Sequence, residues 1–242
     1  MYINTSYRSD LPEIMDDFDM QGELLRDALN KIAKINQLLG GNKLTLNGVK
    51  ILLEQSKSLT PKAKLTIIDI GCGNGDMLRN LADYANKNNL NFELIGIDAN
   101  EFTVKYAKEL SLNYSNISYR CEDIFDEQFV TINYDIVLCT LTLHHFKDAE
   151  IFKLLKVFNA NARLGIIIND LHRSTISYRL FQILCFIFKL NEMSKNDGLV
   201  SILRGFKKPE LEQFSKQLNF KKYTIKWKWA FRYQWIINTK SI

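Results

Sequence analysis

Residues 68–76 read IDIGCGNGD, with Gly71, Gly73 and Gly75 at every second position after an apolar run and Asp69. Glycines there clear side chains from backbone that something must approach. A dinucleotide fingerprint places its third glycine three residues after the second. Here Gly75 follows Gly73 by two, and Asp76 holds the third-glycine position. A pyrophosphate would meet Asp69 and Asp76 with no lysine beside it. Like charges about 4 Å apart repel by several kcal/mol in a partly buried site. A P-loop is excluded because no G-K-[ST] is present. The loop therefore suits a neutral or cationic ligand. Asp98 closes LIGIDAN roughly 20 residues further on, where a carboxylate reaches both hydroxyls of a ribose. Asp123 in CEDIF ends a third strand and can accept from an adenine amino group.

These residues need elements to hold them. From residue 65 short apolar runs alternate with amphipathic ones: LTIIDI, FELIGIDA, ISYRCEDI, YDIVLCTLTL and RLGIIINDL read as strands, with helices between most of them. Short connections between alternating strands and helices predict a parallel sheet with helices on both faces. Ligands of such sheets bind beyond the carboxyl ends of the strands, where the glycine loop falls. KPELEQFSKQLN reads as a helix opened by Pro209, and FKKYTIKWKWAFRYQWIINTK as two strands with a turn near 230–232, which gives the sheet an antiparallel edge. Residues 1–60 read as an N-terminal helical cap, with Leu25, Leu29, Ile32, Ile35 and Leu39 near helical spacing and Asp16 and Asp17 at the positive end of that helix. Residues 61–242 form the main domain, and 171–205 a lid insertion within it. The lid's helix is apolar nearly all round, from Ile176 to Phe188, so it should bury most of its surface.

IIDIGCGNGD, LIGIDAN, CEDIF and YDIVLCTLTLHHF together resemble the class I S-adenosylmethionine-dependent methyltransferases, over roughly residues 65–170. The resemblance implies an α/β fold: a Rossmann-like, seven-stranded, mostly parallel sheet with one antiparallel edge strand. It also implies a sulfonium cofactor, in agreement with the charge of the loop. Carried over, Asp69, Gly71, Cys72 and Gly73 line the methionine part. Asp98 takes the ribose hydroxyls with Ala99 beside the adenine, and Asp123 and Ile124 flank the adenine. Backbone near Thr140 and Leu141 holds the amino end. Arg8 reads as a solvated arginine, or else as a clamp on the cofactor carboxylate.

The segment after the fourth strand bears on the acceptor. No N-P-P-Y-like stretch is present; TLTLHHF stands there and resembles the small-molecule branch, which includes quinone and phenol methylation. Such a reaction needs a base only where the acceptor holds its proton. His172 in NDLHRS is the first choice for that base, with Asp170 or Arg173 orienting it or the substrate, and His145 the second. His144, Arg173 and Arg204 are candidates for substrate contact. The apolar lid suggests an aromatic or lipid-like acceptor, with O-methylation of a phenol or polyketide favoured. An RNA methyltransferase and a C-methyltransferase of a quinone-like acceptor are the alternatives, the former suggested by the basic and aromatic alternation of KKYTIKWKWAFR.

Bulk properties agree. The chain has 242 residues, 46% hydrophobic, with a net charge of +5, an ordinary globular balance that does not by itself call for nucleic acid. Cys72, Cys121, Cys139 and Cys185 show no pairing pattern and read as reduced thiols of a cytoplasmic protein. Histidine and cysteine spacing suggests no metal site. Residues 176–190 are too short and too charged to span a bilayer, which needs about 20 apolar residues. The oligomeric state has no sequence signature.

Overall fold

In the computed structural model, residues 3–56, 63–126, 129 and 132–239 are described. Seven strands form one sheet in the order β3-β2-β1-β4-β5-β7-β6. They are β1 (Leu65–Ile70), β2 (Phe92–Asp98), β3 (Ile117–Cys121), β4 (Tyr134–Thr140), β5 (Ala162–Leu171), β6 (Lys222–Lys228) and β7 (Arg232–Asn238). β1 to β5 pair in parallel. β7 runs antiparallel to both β5 and β6, which closes the sheet with the expected antiparallel edge pair. The reversed strand itself sits one place in from the edge, because the tight turn between β6 and β7 forces them antiparallel.

Helices among the described residues cover both faces: α1 (Glu23–Leu38), α2 (Gly41–Gln55), α3 (Asp76–Lys87), α4 (Glu101–Leu110), α5 (Asp148–Asn161), α6 (Thr175–Ile187), α7 (Glu192–Arg204) and α8 (Lys208–Gln217). Alternate residues along the central strands feed two cores. Ile68, Ile70 and Val137 pack with Leu155, Phe158 and Phe214 from α5 and α8. Ile67, Ile136 and Leu138 pack with Leu52, Leu78 and Leu81 from α2 and α3. Strands buried on both faces must be apolar throughout, as LTIIDI and YDIVLCT nearly are. Truncating a wholly buried residue such as Leu81 to Ala would cost about 2–5 kcal/mol.

Several helix starts are set by their caps. Asn100, Ser174 and Asn191 accept from the backbone N–H three residues on, opening α4, α6 and α7. Pro209 falls in the first turn of α8, where its missing N–H costs nothing.

The structure changes the N-terminal reading in two ways. α2 is a core helix: Val49 and Leu52 are fully buried, and a Cβ on Gly48 would come within 2.8 Å of Ile167 in β5. A helix that close to the sheet packs into the main core; the expected boundary at 60/61 lies outside the described residues. Asp16 and Asp17 do not open α1, which starts at Glu23 after Gly22. Asp16 instead lies in a separate 3-10 turn, Ile14–Asp16, folded over the sheet edge.

Candidate active site

A cavity of about 1460 Å³ opens at the carboxyl ends of β1, β2, β4 and β5. Its floor is the glycine loop. Gly71, Gly73 and Gly75 take φ of +64°, +52° and +78°, the left-handed region in which a side chain is strained. A Cβ on Gly71 would lie 2.4 Å from Thr142, and one on Gly75 would lie 2.0 Å from the Tyr119 hydroxyl. These two glycines are required by packing. A Cβ on Gly73 meets nothing nearer than Leu29 at 3.7 Å, so that position stays open to the cavity.

Asp98 at the end of β2 accepts from Gly73 N and Asn100 N, both at 3.1 Å, and so fixes the loop to the strand end. Asp69 is 2% exposed, and its Oδ1 has no hydrogen-bond partner. Burial, followed by the charges of Asp98 and Asp76, pushes Asp69 up to about 8. Burial raises Asp98 as well. Asp76 accepts from Asn42 at 2.5 Å and from Gln37, so α1 and α2 brace the far side of the loop. Cys72, Ala99, Asp123, Ile124 and Thr140 line the same cavity. Asp123 also accepts from Phe125 N at 2.9 Å, which turns the chain after β3. Thr140 lies 3.0 Å from Thr45 of α2, hydroxyl to hydroxyl. Leu141 takes φ +55° and donates its N–H to Asn169 in β5.

The opposite wall is assembled from the Ile14–Asp16 turn, the Leu143–His145 turn after β4, and α6 and α7. His145 is 28% exposed on its side chain, and its Nδ1 lies 2.6 Å from Asp16 Oδ1. Burial opposes ionisation of Asp16, but the bonds from His145 and Arg204 outweigh it and hold the carboxyl well below its usual range. His144 is buried, with Nδ1 2.7 Å from Asp170 Oδ1 and its backbone N–H on Asp170 Oδ2. Asp170 therefore orients His144. It does not orient His172, contrary to the sequence reading, because its side chain points across the strand end to the β4 turn.

His172 lines the cavity, but Trp227 donates its indole N–H to His172 Nδ1 at 3.2 Å. An indole can only donate, so a neutral His172 carries its proton on Nε2 and has no free lone pair there. Burial, then Lys207 and Arg173, lower its pKa. Arg173 is a second correction. It is fully buried and absent from the cavity wall, bound to Glu210 and to the carbonyls of Thr5, Ser6 and Gly205. It joins the N-terminal segment to α8 and contacts no acceptor. Arg204 lines the cavity and ties the lid down, bound to Asp16 and to the carbonyls of His144 and His145. Arg8 lines the cavity and is not solvated. It binds Asp148 at 2.6 Å and the carbonyls of His144, Phe146 and Arg204.

Glu13 and Asp16 were missed as site residues. Asp16 was visible as a charge but was assigned to a helix start. Glu13 carried no signal, since only the folded chain sets it against residues 144 and 145.

The sequence matches the methyltransferase-domain family over residues 61–225, and the chain belongs to that family. It is 31% identical over 90 residues to malonyl-[acyl-carrier protein] O-methyltransferase of Acetivibrio thermocellus, covering 37% of this chain and 30% of that one. The chain matches about a third of the length of the curated relatives it resembles, 36% and 30%. Among solved structures, the plantazolicin methyltransferase BpumL in complex with S-adenosylhomocysteine superposes with TM-score 0.66 at 18% identity, covering 90% of this chain and 94% of that one. Magnesium protoporphyrin IX methyltransferase from Synechocystis PCC 6803 superposes with TM-score 0.53 at 15% identity, covering 93% and 88%. At such identities these structures speak for the fold, which is that of the class I methyltransferases.

The cofactor of that class is S-adenosylmethionine, and the residues present fit it. Asp69 offers a buried, unpartnered carboxylate oxygen, and Asp69, Asp76 and Asp98 lie together on a wall whose loop contains no lysine or arginine. A cationic ligand supplies what that wall lacks. The open position at Gly73 admits it close to the backbone.

Proposed function

We propose that the chain transfers a methyl group from S-adenosylmethionine to a small lipophilic acceptor, with the hydroxyl of a phenol or polyketide favoured, and that His145 is the general base. The observation that carries this reading is the 2.6 Å contact between His145 Nδ1 and Asp16 on the cavity wall. An ionised carboxylate can only accept, so Nδ1 donates and a neutral His145 has its lone pair on Nε2. That is the arrangement a base needs: a ring fixed in one tautomer by a carboxylate, with the other nitrogen free to take a proton. It reverses the order of preference between His172 and His145.

S-adenosylmethionine, when bound, supplies an already activated methyl group. The protein has to hold the acceptor in line, exclude water and remove the hydroxyl proton. Leu180, Phe181, Ile183 and Leu184 of α6, with Trp229 and Phe231 of the β6–β7 turn, give the outer cavity an apolar lining suited to an aromatic or long-chain acceptor. Relatives named for plantazolicin and magnesium protoporphyrin IX support a small-molecule acceptor, and one named as an O-methyltransferase supports transfer to oxygen. The test is transfer of a radiolabelled methyl group to a panel of alkyl phenols and their alkyl-aniline and quinone counterparts. Transfer to the phenols, rising with alkyl length, is expected. Transfer confined to nitrogen or carbon acceptors, or to RNA, would overturn the reading.

A further inference from the structure

The Ile14–Asp16 and Leu143–His145 turns meet over the cavity, and three side-chain atoms converge there. His144 Nε2 lies 3.7 Å from Glu13 Oε1, and His145 Nδ1 lies 3.8 Å from the same oxygen. All three ligand atoms lie within 4.8 Å of one another. His144 Nε2 and Glu13 Oε1 are buried without a hydrogen-bond partner, in residues only 2% and 6% exposed. Such unmet groups are normally satisfied by a proton, a water or an ion.

The donor set selects among these. Two imidazole nitrogens and one carboxylate oxygen are ligands for zinc. Bonds of about 2.0–2.2 Å space the ligands of a tetrahedral centre by roughly 3.3–3.5 Å. The two spacings to Glu13 Oε1 need to close by only a few tenths of an ångström, and the two imidazole nitrogens lie within 4.8 Å of each other. The supporting contacts also suit a metal. Asp170, 2.7 Å from His144 Nδ1, fixes that ring with Nε2 toward Glu13, the carboxylate–histidine–metal arrangement. Charge agrees as well. Glu13 and Asp16 face Arg204, whose Nη1 lies 3.6 Å from Glu13 Oε1 and 2.6 Å from Asp16 Oδ2, and Asp170 acts on the buried Arg232. With the three carboxylates ionised against Arg204 and Arg232, negative charge remains, which favours a cation. Arg8, behind the turn, is paired with Asp148.

We infer that Glu13, His144 and His145 form a zinc site that fastens the N-terminal segment to the cavity wall, with a water in the fourth position. Binding shifts the His145 ring proton from Nδ1 to Nε2 and breaks the contact with Asp16. Any proton on Glu13 leaves to solvent. Zinc and the proposed base therefore exclude each other, and zinc acts as a brake on methyl transfer. Histidine and cysteine spacing could not suggest this site, because one ligand comes from the chain's first turn.

The test is titration of metal-free full-length protein with Zn²⁺ by calorimetry and with Co²⁺ by visible absorption. One ion per chain is expected, with a Kd below about 10 μM and the absorption bands of a tetrahedral nitrogen–oxygen site. His144→Ala should weaken binding by about 100-fold and the isosteric Glu13→Gln by at least about 10-fold. Cys121→Ser, which removes the exposed thiol, should bind as the parent does. Circular dichroism melts establish that each variant is folded, and Glu13→Gln decides the matter should His144→Ala not fold. No saturable binding up to about 100 μM, or equal affinity in parent and Glu13→Gln, would overturn the site. Neither readout uses methyl transfer, so failure here leaves the proposed function standing, and the converse holds.

Discussion

The two walls of the cavity handle charge in opposite ways. On the glycine-loop wall, Asp69, Asp76 and Asp98 stand together, and Asp69 Oδ1 has no partner at all. On the facing wall Arg8 and Arg204 are each held by a carboxylate and by carbonyl oxygens. The first wall is left incomplete, and a cationic ligand completes it. On the second wall the arginines are already paired, so what it would offer the proposed acceptor is mostly apolar surface from α6 and the β6–β7 turn, together with His145. The contrast fits the proposed function, in which the cofactor is selected by charge and the acceptor by shape and hydrophobicity.

This contrast can be broken at its strongest points first. His145→Ala should lower turnover by about 10²–10⁴-fold while leaving the affinity for S-adenosylhomocysteine unchanged. His172→Ala should stay within about threefold, because its Nδ1 is already used by Trp227. Steady-state rates on one phenol compare the two, and equal losses would remove the distinction. Asp98→Ala belongs to the other wall. It removes two backbone contacts and the carboxylate proposed to hold the ribose, so cofactor affinity should fall about 100-fold by calorimetry, at about 1.5–3 kcal/mol for each charged hydrogen bond.

Gly71→Ala tests the floor itself. The left-handed φ and the 2.4 Å approach to Thr142 should together destabilise the protein by about 2–4 kcal/mol, read as a lowered midpoint in urea. A fourth expectation concerns pH. Asp69 is raised to about 8 in the folded chain, so it holds its proton at neutrality while the unfolded chain has lost it. Stability of the ligand-free protein should therefore fall as pH rises from about 4 toward 8. As Asp69 ionises through that upper value, a sulfonium gains a negative neighbour, so the preference for S-adenosylmethionine over S-adenosylhomocysteine should grow between about pH 6 and 9. A flat ratio would separate Asp69 from the cofactor. The smallest effect is expected on the apolar wall. Ile183 lines the cavity yet is 55% exposed, so Ile183→Ser should raise KM for a long-chain phenol several-fold and move stability by less than about 0.5 kcal/mol.

The same contrast explains what was legible in the sequence. Each residue proposed to hold the cofactor lies at or just after the end of a strand, and strand ends are marked locally by a glycine or an aspartate after an apolar run. Asp69, Gly71, Asp98 and Asp123 could thus be placed with the sheet that carries them. The acceptor wall is made by contacts between residues far apart in the chain. Nothing local shows that Asp16 meets His145, that Asp170 turns to His144, or that Arg173 is consumed by Glu210. The lid also departed from expectation. An apolar helix should bury its surface, yet Ile176, Ile183, Phe186 and Ile187 of α6 are exposed, and only Ser177 and Cys185 of that helix are buried. Pattern reports what a side chain prefers, and only the packed chain reports what is available to cover it.

The central claim is that the glycine-loop wall is completed by a cationic methyl donor. Calorimetric titration of the full-length protein with S-adenosylmethionine tests it most directly. One site per chain is expected, saturating in the micromolar range. Absence of any binding heat at millimolar S-adenosylmethionine would contradict it.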